Sequence, residues 1–195
     1  MNPYAELHCQ STFSLLDGGS TPERLIETAK LLGYRALALT DFMDLGGIVR
    51  FAEHAKTVEF DAIIGVQIMT TIGNYTGRLV LLAESIIGYN NISRLVTHAR
   101  MESTRGLPSI PWSTVQTHSD GIFCLSGGSR GSLYKSLSRQ DQLSARRIIR
   151  ALYSVYEERF AVEVVHHGIV SEMECAQTAI RYAQEMKIPW VIAND

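Results

Sequence analysis

Six polar residues stand where apolar runs end or are interrupted, and their types could do chemistry together. His8 follows YAEL, Asp41 follows ALALT, Gln67 lies within IIGVQIMT, His166 and His167 close VEVV, and Asp195 closes WVIAND. Imidazole nitrogen and carboxylate oxygen are donors that suit zinc or manganese, and a bound metal generates hydroxide near neutral pH. Gathered in one mouth, such residues would point to metal-assisted phosphoester hydrolysis.

The elements that must position them can be read from the hydrophobic pattern. Short apolar runs alternate with segments of helical period, as in βα units around a parallel sheet. Strands are expected near residues 4–8, 35–40, 61–69, 78–83, 121–126, 160–165 and 189–194, with helices between them. The first helix carries its own start and stop signals: Thr21 as N-cap, Pro22 at the first helical position and Gly33 after ERLIETAKLL. Further helices are expected near 46–57, 86–101, 141–158 and 172–187, and the stretch 102–120, with two prolines, reads as the longest loop. Seven strands interleaved with helices suit either a closed barrel or an open doubly wound sheet, and alternation does not choose between them. In both, the carboxyl ends of the strands line the functional face.

Composition bounds the function. The 195 residues, 46% hydrophobic and 19% charged, can bury one substantial core and read as a single domain spanning 1–195. Apolar runs fall far short of the roughly 20 residues that cross a bilayer. MNPYAELH lacks a secretory start, and three cysteines without CxxC spacing imply a reduced, cytoplasmic protein whose thiols serve as small hydrophobes. A net charge of −2 lacks the basic surplus of a duplex-binding surface, so the arginines of SARRIIR read as a solvated helix face. GGSRGSL could cradle a phosphate, but it lacks the GxxxxGK[ST] pattern and reads as a turn before a helix.

YAELHCQSTFSLLDG resembles the opening motif of the polymerase and histidinol phosphatase (PHP) family, normally HxH followed by a further ligand; here it supplies His8, Gln10 and Asp17. ALTDFMDLGGIVRFAEHAK is similar to the second motif, with Phe42 where a histidine is usual, and IIGVQI to the third, with Gln67 where a bridging glutamate is usual. LLAESIIGYNNISRLVTHAR and CLSGGSRGSL resemble segments of the polymerase-attached branch, in which a cysteine or histidine often stands at the position of Gly128. AVEVVHHG and VIAND match the last two motifs and supply His167 and Asp195; AVEVVHHG is similar to the error-prone, damage-tolerant polymerases.

This resemblance implies an α/β fold, the distorted (β/α)7 barrel of the PHP type, incomplete at its C-terminal end. It implies the N-terminal PHP domain of a longer bacterial C-family DNA polymerase. The retained metal candidates are His8, Asp17, His167 and Asp195, with Asp41 in support; Gln10, Phe42, Gln67 and Gly128 stand at lost positions, so no catalytic residue is assigned. Phenylalanine cannot ligate, and an amide cannot bridge two metals as a carboxylate does. No cofactor is expected beyond at most one weakly held manganese, zinc or iron ion. The partners implied are the polymerase catalytic part of the same chain, DNA through that parent, and replication or repair accessory proteins, with no membrane. The alternative is a metal-dependent phosphoesterase or proofreading exonuclease. Each survivor also has a plainer reading: His8 as a hydrogen-bonded core histidine, Asp17 as a turn residue, Asp41 as a loop anchor, and His166 as a neighbour of His167 pointing away.

Overall fold

Seven strands form one curled sheet in sequence order: β1 (Ala5–Cys9), β2 (Ala36–Leu39), β3 (Asp61–Ile72), β4 (Tyr75–Ala83), β5 (Ile122–Leu125), β6 (Phe160–Val164) and β7 (Trp190–Ile192). The computed structural model describes residues 4–103, 106, 108–165 and 167–194. Every expected strand is present. Among the described residues no ladder joins β7 back to β1, so the sheet is an incomplete barrel.

The helices are α1 (Pro22–Leu31), α2 (Ile48–Thr57), α3 (Ile86–Glu102), α4 (Trp112–Thr117), α5 (Ser132–Ser138), α6 (Gln142–Tyr156) and α7 (Val170–Glu185). Thr21 caps α1 by accepting the Arg24 N–H, as its sequence requires. The stretch expected to be one long loop contains α4, which starts directly after Pro111. Proline fixes the backbone there without needing a donor, so a short helix follows from residues that read as loop by composition.

One expectation needs correction. A sheet built of βα units alone would be parallel throughout, yet β4 pairs antiparallel with both β3 and β5, while β1–β3 and β5–β7 are parallel. The cause is a two-residue turn: Ile72 pairs with Tyr75 across Gly73 and Asn74, and Gly73 has φ +61. Glycine takes that left-handed conformation without a Cβ clash, and its turn matches the twist of the flanking strands. β3 therefore runs on to Ile72 and returns immediately as β4.

Alternation along the strands separates two faces. Leu37 and Leu39 pack with α1 and α2, whereas Val66, Ile68, Leu79, Leu81, Val162 and Val164 belong to the large core shared with α3 and the later helices. Residues of the opposite parity, Ala38, Val80, Leu82, Leu125 and Ala161, form a separate buried cluster away from the helices. Gln67, Arg78 and Glu163 share that inner parity, and they line the mouth.

Candidate functional site

Asp41 follows β2 and is buried, with its carboxylate fully engaged. Oδ1 accepts from the Ser11 N–H and from Ser14 Oγ, and Oδ2 accepts from Ser11 Oγ, each at 2.7 Å. Ser14 Oγ in turn accepts the Phe42 N–H at 2.9 Å. Charge-assisted bonds of this length are the strong ones, so one carboxylate folds the loop between β1 and α1 over the end of β2. A Cβ added to Gly18 would lie 1.9 Å from the Ser11 carbonyl oxygen, so the loop closes only with glycine there. The same wrapping delivers Asp17 to the mouth.

His8 on β1 faces Glu163 on β6: Nδ1 lies 2.5 Å from Oε1, and both side chains are buried. Glu163 Oε2 accepts the Gly127 N–H at 3.0 Å, and the Glu163 N–H donates to Ser126 Oγ at 2.9 Å. The His8 N–H donates to Glu6 Oε1, whose other oxygen accepts from Tyr4. A carboxylate on one imidazole nitrogen fixes ring orientation, the arrangement that orients a ligating histidine and equally holds a core one. Gly127 completes this corner with φ +88, and a Cβ there would lie 2.0 Å from the Arg78 carbonyl oxygen.

Between these corners lies Arg78, on β4. Nη1 donates to Gln67 Oε1 at 3.0 Å, Nη2 donates to Asp17 Oδ2 at 3.1 Å, and the guanidinium carbon sits 4.1 Å from the centre of the Phe42 ring. Gln67 Nε2 donates to the Thr40 carbonyl, which fixes the amide orientation. Arg130 adds a second bond to Asp17 Oδ2 at 2.7 Å. The hydrogen bond from Arg130, then that from Arg78, holds the Asp17 carboxyl below the usual carboxylate range.

Thus Asp17, Phe42 and Gln67 converge on one guanidinium, and Gly128 opens the adjoining turn Gly128–Arg130. Gln10 is half-buried, and its Nε2 lacks a hydrogen-bond partner among the described residues. His167 lies in the β6–α7 connection, where Nδ1 is 3.1 Å from Glu172 Oε2 and its N–H donates to the same oxygen. Asp195 and His166 fall outside the described residues.

Arg78, Arg130, Glu163, Ser11 and Ser14 were not anticipated as members of this mouth. Glu163 carried a signal, a carboxylate amid the apolar residues of AVEVV. Arg78 carried one only through Gly73–Asn74: reversal of β4 brings its beginning to the mouth, where parallel strands would bring their ends.

Among the described residues, the positions of Asp17, Phe42 and Gln67 do not offer the ligands of a multinuclear metal cluster. Phe42 has no donor, Gln67 Oε1 already accepts from a cation, and Asp17 Oδ2 accepts from two. Among the described residues no group of three or more His, Cys, Asp or Glu side chains is placed to hold a metal ion.

A PHP domain family model matches residues 6–167. The chain belongs to the PHP domain family. This PHP domain is 33% identical over 207 residues to a DNA polymerase III subunit alpha of Treponema pallidum, covering 98% of this chain and 17% of that protein. An error-prone DNA polymerase of Mycobacterium bovis is 34% identical over 175 residues, covering 85% and 16%. One from Ralstonia pickettii is 48% identical over 107 residues, covering 53% and 10%. The PHP domain thus spans less than a fifth of these relatives' length.

Solved structures share its fold. A two-domain protein of Bacteroides vulgatus, described as containing a predicted PHP-like metal-dependent phosphoesterase, superposes with a TM-score of 0.64 at 15% identity, covering 98% of this chain and 51% of that one. An amidohydrolase of Chromobacterium violaceum gives 0.61 at 15% identity, covering 98% and 86%. No described helix is long and apolar enough to cross a membrane.

Proposed function

We propose that this PHP domain is part of a bacterial DNA-directed DNA polymerase of the III α-subunit or error-prone type, and that it braces the polymerase and does not itself hydrolyse a phosphoester. The observation that carries the first half is similarity over 98% of the chain to a polymerase subunit in which the matched part is 17% of the length. The second half rests on the mouth, where a guanidinium and an aromatic ring stand among the positions that would supply metal ligands. In this reading nucleotidyl transfer, DNA contact and accessory partners belong to the remainder of a cytoplasmic parent protein.

His8, Asp17, His167 and Asp195 stand as the residual ligand candidates, and the buried His8–Glu163 pair favours a second reading, a phosphoesterase or exonuclease holding one metal. The size of the native protein in its own cells tests the first reading. An immunoblot band several times larger than 21.7 kDa is expected, and a band near that size would turn the assignment toward a stand-alone phosphoesterase.

A further inference from the structure

We infer that the Arg78 guanidinium stands in this mouth in place of a metal, bound to Gln67, Asp17 and the Phe42 ring. The inference deepens the bracing role proposed above and rests on it. A metal in such a place would supply positive charge and tie together oxygen ligands from separate elements. Arg78 does both: its side chain is only 12% exposed, and its fork reaches the amide of Gln67 on β3 and the carboxylate of Asp17 in the β1–α1 loop.

The changed residues agree with one another under this assignment. A guanidinium presents a flat face that an aromatic ring attracts, which gives Phe42 a purpose where ligation would require a donor. It needs acceptors rather than a second negative charge, so the neutral Gln67 oxygen suffices beside the single carboxylate of Asp17. Lysine could match the charge but not the planar fork. The main chain of Arg78 is also held, bridged to Gly131 and pressed against Gly127, so the guanidinium sits on a fixed mount.

The test uses hydrogen exchange by mass spectrometry on the full-length protein, reading peptides across residues 11–20. Arg78→Met should speed exchange there about tenfold, the scale of a lost hydrogen bond between charged groups. Asp17→Asn should add less in the Arg78→Met background than in the wild type, because one of its two guanidinium bonds is already gone; Arg78→Lys should not restore wild-type exchange. Independent effects of the two substitutions, with primer extension intact, would overturn the guanidinium's role alone and leave the polymerase reading standing.

Should Arg78→Met fail to fold, the wild type still decides. Exchange in the same peptides should be unmoved by a chelator or by added manganese or zinc. Slower exchange with metal, or a stoichiometric metal retained through gel filtration and lost together with protection on chelation, would overturn the inference.

Discussion

Gln67 and Arg78 are diagonal neighbours across the β3–β4 hairpin, and the 3.0 Å bond from Nη1 to Oε1 joins them on the inner face of the sheet. Gln67 stands directly opposite Val80, so Arg78 is two residues displaced, a separation long side chains span readily. The relationship depends on the Gly73–Asn74 turn: with β4 parallel to β3, Arg78 would begin at the far end of the sheet. A change of strand direction has put a cation among residues where a metal would otherwise be sought.

Glu163 is the buried joint between β1, β6 and the Gly127 turn. Glu163→Ala leaves His8 Nδ1 and the Gly127 N–H without this acceptor, and a loss of about 3 kcal/mol is expected. Glu163→Gln, which keeps an acceptor and the shape, should lose less. Urea denaturation of both variants checks the order.

Gly127→Ala combines two faults, a left-handed φ of +88 and a Cβ 2.0 Å from the Arg78 carbonyl oxygen. The conformational part alone costs about 1–2 kcal/mol, and the clash must also push β4 and the turn apart. The variant should lose stability and show faster hydrogen exchange in β4 and in residues 126–131, while Gly19→Ala, with nothing near the added Cβ, should not.

Asp17 sets an acid limit. Its carboxyl titrates lower when folded than when unfolded, because Arg130 and Arg78 favour the charged form. Its contribution is therefore present above the unfolded value of about 3.9 and is lost as pH falls through the lower folded value. Protection of residues 11–20 should decline over that acid window in the wild type, and Asp17→Asn should remove that part of the decline.

The cysteines should be slow to react. Burial pushes the Cys9 thiol up to about 12 and also raises Cys124 and Cys175. Iodoacetamide at pH 8 should label the native protein little, and denaturation should expose all three thiols.

Much of this was legible in the sequence because it depends on local pattern. Among the described residues, all seven strands, five of the seven helices and the α1 cap follow from periodicity and from Thr21, Pro22 and Gly33. Asp17, Phe42 and Gln67, which the PHP motifs single out, each contact Arg78. What stayed hidden depends on strand direction and on contacts between distant residues: Arg78 opens an apolar run that reads like any other, and Arg130 lies 113 residues from Asp17. Ser11 and Ser14 look like ordinary loop hydroxyls until Asp41 is seen to gather them.

The proposed role joins a polymerase parent to a PHP mouth that is catalytically silent. It is tested most directly by offering the full-length protein a primer with a mismatched 3′ end, with manganese and zinc present, and following the primer with and without deoxynucleotides. The predicted result is extension of a matched primer when deoxynucleotides are present and no release of 3′ nucleotide from the mismatched one. Release that His8→Ala or Asp17→Asn abolishes, with extension left intact, would contradict it.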